Sequence, residues 1–252
     1  RLELATANII LGLVTLFVSD WWLAQQRRER TLDSVEIMPL PYVVLGLGLR
    51  LGYFTNWTGL LTLGAALTGI GVGRRREEWK ALTYLSLAGI SAAWYEMVIY
   101  PMLQAQGGAV ADALTVLAGV AVAIAFAYRL LAWFWQSRTN KRLLRLSVAE
   151  LKITAHTHWA IGTLLMMLVV MTALSATPQL RLTGLAITLC LLLAAYALVQ
   201  GRNNPNPNAA RQWVYIGLME VAATYASARL IWTELNVLDS WLAIIACGLA
   251  YI

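Results

Sequence analysis

Long apolar stretches of similar length follow one another along the chain, separated by short polar gaps. Read as helices, they fall at 2–24, 38–55, 57–73, 79–103, 109–135, 153–176, 179–200 and 213–235, and another starts at 239–252. Crossing the hydrocarbon of a bilayer takes roughly 20 apolar residues as helix. Most stretches are apolar all round, whereas a soluble core needs amphipathic stripes. They are too long and uniform for the alternating strands of an outer-membrane barrel. The expectation is an all-α polytopic transmembrane helical bundle with eight spans plus the start of a ninth. The second and third spans form a tight hairpin around Asn56 and Trp57. Pro39 and Pro41 fit the first turn of the second span, where a missing N–H costs little. Pro101 and Gly107-Gly108 mark the exit from the fourth.

The gaps alternate in charge. The first holds Arg27, Arg28 and Arg30; the third Arg74, Arg75, Arg76 and Lys80; the fifth Arg138, Lys141, Arg142, Arg145 and Lys152; the seventh Arg202 and Arg211. The even gaps hold Arg181, joined by Arg50 if it is counted outside its helix. The positive-inside rule places the odd gaps in the cytoplasm, so the loops around Arg28, Arg75, Lys141 and Arg202 face inward and residue 1 starts on the far side. Trp21, Trp22, Trp79, Trp133, Trp135, Trp159 and Trp213 fall near the cytoplasmic ends. Trp57, Trp94, Trp232 and Trp241 fall near the opposite ones, which is the belt expected at headgroup depth.

Composition agrees. The 252 residues are 60% hydrophobic and 13% charged, against roughly 25% charged in a soluble domain. The net charge of +6 sits beside membrane spans, so anionic lipid headgroups, not nucleic acid, are the expected partner. Cys190 and Cys247 lie in apolar runs without metal or redox spacing and read as packing residues.

An internal repeat is visible. Thr58-Gly59-Leu60, an apolar run, Gly73-Arg74 and Trp79 recur as Thr183-Gly184-Leu185, an apolar run, Gly201-Arg202 and Trp213. Ala88 and Ala92 match Ala222 and Ala226; Glu3, Thr6 and Phe17 match Asp112, Thr115 and Phe126; Asp239 opens a third copy. The second copy's loop is longer by Asn203-Asn204-Pro205-Asn206-Pro207-Asn208, and loops absorb such insertions. An even number of spans separates the copies, so the four-helix units are parallel repeats. The units expected are 1–108, 109–236 and the start of a third at 237–252, a window on a longer repetitive protein.

Tandem Trp-rich helical units with Gly-Arg cytoplasmic turns resemble large uncharacterised multi-repeat bacterial membrane proteins, cyanobacterial ones among them. The resemblance covers the general pattern of the chain and implies a bacterial inner or thylakoid membrane. It carries over no functional residue.

Ionisable residues inside spans are expensive and pair or line wet cavities. Two layers are expected: Glu96 with Arg229 or Arg50 in the outer half, and Glu220 with Arg129 in the inner half. Static pairs that fix helix register are favoured over a transport pathway, and Arg129 is near enough to its helix end to snorkel. His156 and His158 point to different helix faces and cannot share one metal; each is a candidate axial ligand to a tetrapyrrole, with an interfacial polar role favoured. Ala65, Gly69 and Gly73 mark a close-packing face. Gln136 to Lys152, basic with Leu143, Leu144, Leu146 and Leu151, reads as an interfacial helix or a docking site for a cytoplasmic partner.

No nucleophile–base set, phosphate loop or metal motif appears. The first reading is therefore a non-enzymatic scaffold or accessory subunit among other membrane subunits, needing no cofactor beyond lipids. A secondary transporter or channel lined by the intramembrane charges comes second, ahead of a lipid-modifying enzyme and a pigment- or lipid-binding subunit.

Overall fold

The structure, a computed structural model, describes residues 1–25, 34–105, 109–137, 146–175 and 181–231. Every regular element among them is helical: α1 (Leu2–Gln25), α2 (Ser34–Ile37), α3 (Pro39–Arg50), α4 (Thr58–Gly73), a 3-10 turn (Glu77–Trp79), α5 (Lys80–Gln104), α6 (Val110–Ser137), α7 (Val148–Ser175), α8 (Thr183–Arg202) and α9 (Pro207–Ile231).

Five stretches are long and apolar enough to cross a membrane, by length and composition: Leu2–Gln25, Glu77–Gln104, Val110–Gln136, Val148–Thr172 and Thr183–Arg202. The expected hairpin of two full spans is shorter than its apolar sequence. The 12 residues of α3 rise about 18 Å, against roughly 30 Å of hydrocarbon. Helix α3 stops because Leu51 turns to an extended ψ of 129° and Gly52 takes φ +87°, a left-handed conformation that glycine adopts without steric cost. Helix α4 is apolar but has 16 residues. Helix α9 is long enough at 25 residues, but Arg211, Glu220 and Arg229 make it more polar than the five. The ninth span and the Gly107-Gly108 pair lie outside the described residues.

The chain divides into two compact units, Arg1–Gln106 with Leu131–Leu151 and Gly107–Leu130 with Lys152–Ile252. In unit 1, glycines let helices touch. A Cβ on Gly12 of α1 would lie 2.7 Å from Val43 Cγ2 of α3. One on Gly59 of α4 would lie 2.7 Å from the Ala93 carbonyl and 3.0 Å from the Met97 amide nitrogen of α5. Larger apolar side chains such as Phe17, Leu85 and Leu11 point outward. Small residues inside and large apolar ones outside is the reverse of a soluble bundle and is how membrane helices pack.

In unit 2, Gly162 of α7 sits against Val122 and Ala121 of α6 and Leu193 of α8. The indole of Trp159 donates to the Leu193 carbonyl at 3.0 Å. Asp112 of α6 accepts from the backbone N–H groups of Arg181 and Leu182 at 2.9 and 3.0 Å, which satisfies orphan donors at the start of α8.

Gln136 to Lys152 is not a single interfacial helix. Helix α6 continues to Ser137, and α7 starts at Val148. The early start has a local cause. Ser147 and Glu150 exchange backbone-to-side-chain hydrogen bonds at 2.7 and 3.2 Å, a capping box. Leu146 and Leu151 are 1% exposed; residues 138–145 lie outside the described ones.

Candidate functional site

Unit 1 closes around an ion pair. Arg50, at the end of α3, reaches Glu96 of α5 with both guanidinium nitrogens: Nη2 to Oε1 at 2.7 Å and Nη1 to Oε2 at 3.1 Å. Nη1 also donates to the Thr58 carbonyl of α4 at 2.7 Å. The Thr62 hydroxyl accepts from Arg50 and donates to Glu96 Oε2. Three helices thus meet at one forked, charge-assisted network, the strongest class of side-chain hydrogen bond. Both carboxylate oxygens of Glu96 are occupied.

A second network sits at the opposite end of α4. Arg75 is 7% exposed along its side chain. It donates to Asp20 Oδ1 from Nε at 3.1 Å and Nη2 at 2.8 Å, to Ser19 Oγ at 2.6 Å and to the Glu36 carbonyl at 2.5 Å. Arg74 meets Asp20 Oδ2 at 2.5 Å, and Arg76 meets the Glu36 carboxylate at 2.6 Å. The Glu36 hydrogen bond raises the Arg76 pKa further above its ordinary value. Beside it, Lys80 and Tyr84 donate to Glu150 Oε1 at 2.6 and 2.7 Å. Sequence reading treats Arg74, Arg75 and Arg76 as loop charges and misses their acidic partners. The signal was Asp20, one acid in the last turns of an apolar run.

Unit 2 treats its carboxylate differently. Glu220 of α9 accepts one hydrogen bond, from the Thr163 hydroxyl of α7 to Oε1 at 2.7 Å. Its Oε2 is shielded from solvent and has no hydrogen-bond partner among the described residues. Glu220 is one of the residues around a cavity of about 460 Å³ between α7, α8 and α9. Met166, Met167, Met171 and Met219, four of the chain's seven methionines, line it with Cys190 and Leu193. Thr163 and Glu220 supply its strongly polar groups.

Arg129 does not join Glu220. Its guanidinium lies over the Tyr196 ring, 5.8 Å from the centroid, and Tyr196 hydrogen-bonds His156 Nδ1 at 2.9 Å. Thr163, which holds Glu220, is seven residues beyond His156 on α7, about 10 Å of helix rise. The two charges belong to different levels, and the expected inner pair is replaced by a cation–π contact and a carboxyl–hydroxyl bond. The side chain of Arg229 lies outside the described residues.

The histidines part as their spacing requires. His156 packs against Trp213 and Tyr196 with centroids at 5.0 and 5.7 Å. His158 is buried, bonded through Nδ1 to the Thr154 carbonyl at 3.0 Å and set against Tyr128. Among the described residues no three His, Cys, Asp or Glu converge to hold a metal ion.

No protein-family model, curated protein or solved structure matches the chain.

Proposed function

We propose that the protein is a non-enzymatic integral membrane scaffold or accessory subunit of a larger membrane complex, in a bacterial inner or thylakoid membrane. The observation that carries this reading is the Arg50–Thr62–Glu96 network. Its charges bind one another and tie three helices together, as register-fixing groups do, where a conduction path needs groups that bind and release. We read α3 and α4 as a hairpin entering from the Arg75 side, with that side and the Arg202 turn in the cytoplasm. On this reading α9 contributes a further span.

One correspondence supports reading the chain as tandem four-helix units. Gly73 and Gly201 both abut the following helix: an added Cβ would lie 3.0 Å from the Thr83 amide and 3.2 Å from the Val214 amide.

Purification in mild detergent tests the scaffold. The expected result is a stoichiometric complex with other membrane subunits; a monodisperse lone protein from every mild detergent contradicts it. A second reading, a secondary transporter or channel, is favoured by one observation, the incompletely bonded Glu220 at its cavity.

A further inference from the structure

We propose that the inner end of unit 2, the end at the Arg202 turn, holds the phosphate of an anionic phospholipid on Arg129 of α6 and Lys152 of α7. This rests on the membrane reading of the chain and not on the scaffold role. The two units balance their basic residues differently. The basic gaps of the first, around Arg28 and Arg75, come with acids at Asp20, Glu29, Asp33, Glu36, Glu77 and Glu78. Those of the second, around Lys141 and Arg202, come with Glu150 alone. The ion pairs between described residues follow that division and lie in unit 1: Arg50 with Glu96, Arg74 and Arg75 with Asp20, Arg76 with Glu36, and Lys80 with Glu150. Glu150 is thereby committed to unit 1, through Lys80 and Tyr84. Arg129, Lys152, Arg202 and Arg211 of unit 2 have no ion pair among the described residues.

Two of these four, Arg129 and Lys152, are half-buried and flank the same pair of side chains. Arg129 lies over the Tyr196 ring at 5.8 Å, and the Tyr196 hydroxyl bonds His156 Nδ1 at 2.9 Å. Lys152 is four residues before His156, on the same face of α7 and one turn nearer the inner end. Both charges act on His156. A half-buried guanidinium that meets only an aromatic face still lacks a counter-charge. Its fork matches two phosphate oxygens, and the lysine adds a point charge beside it. Basic pockets between helices at the cytoplasmic face suit phospholipid headgroups. Leu130 and Ile153, the residues next to the two cations, are each 64% exposed, so an acyl chain finds apolar surface beside the phosphate. Free phosphate meets the two charges and leaves that surface unused.

The test is native mass spectrometry of the full chain in mild detergent, titrated with phosphatidylglycerol and separately with phosphatidylcholine, with size-exclusion elution as the check of folding. Expected are saturable binding of about one phosphatidylglycerol per chain and weaker binding of phosphatidylcholine. Arg129→Gln is expected to bind phosphatidylglycerol roughly tenfold more weakly, the loss of one charge-assisted contact. Lys152→Gln is expected to weaken binding by a smaller factor and serves if Arg129→Gln elutes aggregated. Arg181→Gln, at the other end of unit 2, is expected to bind as the unaltered chain does. Inorganic phosphate at matched ionic strength is expected to displace little lipid. Equal binding of the two lipids, unchanged binding by the Arg129 and Lys152 variants, an equal loss with Arg181→Gln, or full displacement by phosphate overturns the proposal. Detergent removes sidedness, so the result does not depend on which end faces the cytoplasm, and co-purification tests the scaffold separately.

Discussion

Glu96 and Glu220 are carboxylates set among apolar helices, and the two units handle them in opposite ways. In unit 1 a guanidinium from a third helix closes on both oxygens of Glu96, with Thr62 between. In unit 2 a hydroxyl holds one oxygen of Glu220, and the other is shielded and has no hydrogen-bond partner among the described residues. The difference follows from helix length. Because α3 stops at Arg50, its last side chain meets α4 and α5 within the unit. The packing of the α4–α5 and α8–α9 hairpins differs as well. Gly59 lies against the α5 backbone, while among the described residues nothing lies within 4 Å of a Cβ at Gly184, which the proposed repeat aligns with it. A closed hairpin commits its charge to structure, and a looser one leaves a carboxylate oxygen unbonded.

The largest effect is expected from Arg50→Ala, which strands Glu96. Breaking a fully buried pair costs roughly 3–5 kcal/mol; with 15% and 21% of the two side chains exposed the loss should fall below that, read as a clear drop in thermal stability in detergent. The double variant Arg50→Met with Glu96→Leu removes both charges and should recover much of that loss. A double variant as unstable as the single one would mean that the helices are joined there by something other than charge compensation.

Next comes Gly59→Ala against Gly184→Ala. The first drives a methyl group into the α5 backbone and should cost about 1–3 kcal/mol. The second meets open space within a helix and should be neutral or stabilising by up to about 1 kcal/mol. Equal effects in thermal melts would erase the contrast between the hairpins. A smaller change is expected from Asp112→Ala, which removes acceptors at the start of α8 and should cost about 1 kcal/mol, read as faster amide exchange at Arg181 and Leu182. Smallest is Thr163→Val, which removes one hydrogen bond worth about 1 kcal/mol and should leave assembly intact in size-exclusion profiles.

Helix content was legible because each helix is a nearly continuous apolar block, and apolarity survives errors of a few residues. The ends were less legible. Helix α9 starts at Pro207, six residues before the expected span, because Asn206 accepts from the Asn208 amide at 3.0 Å and proline suits a first helical position. Helix α7 starts early through Ser147 and Glu150. Both starts rest on polar residues outside the apolar runs, where hydropathy gives no signal. At the candidate sites, the charged residues were visible as exceptions to apolarity. Their hydroxyl partners Thr62 and Thr163 were not, since threonines in apolar helices commonly bond their own backbone, as Thr6 and Thr115 do. The Arg129–Glu220 pairing failed because depth counted along separate helices does not give the level at which side chains meet. The methionine cavity depends on how far α7, α8 and α9 stand apart, which no local pattern encodes.

Labelling the full chain in membranes with dicyclohexylcarbodiimide, an apolar reagent for carboxyl groups in hydrophobic surroundings, compares the two carboxylates directly. Peptide mass spectrometry should find the N-acylurea adduct on Glu220 and little or none on Glu96. Equal modification of both residues, or faster modification of Glu96, would contradict a committed carboxylate in unit 1 and an incompletely bonded one in unit 2.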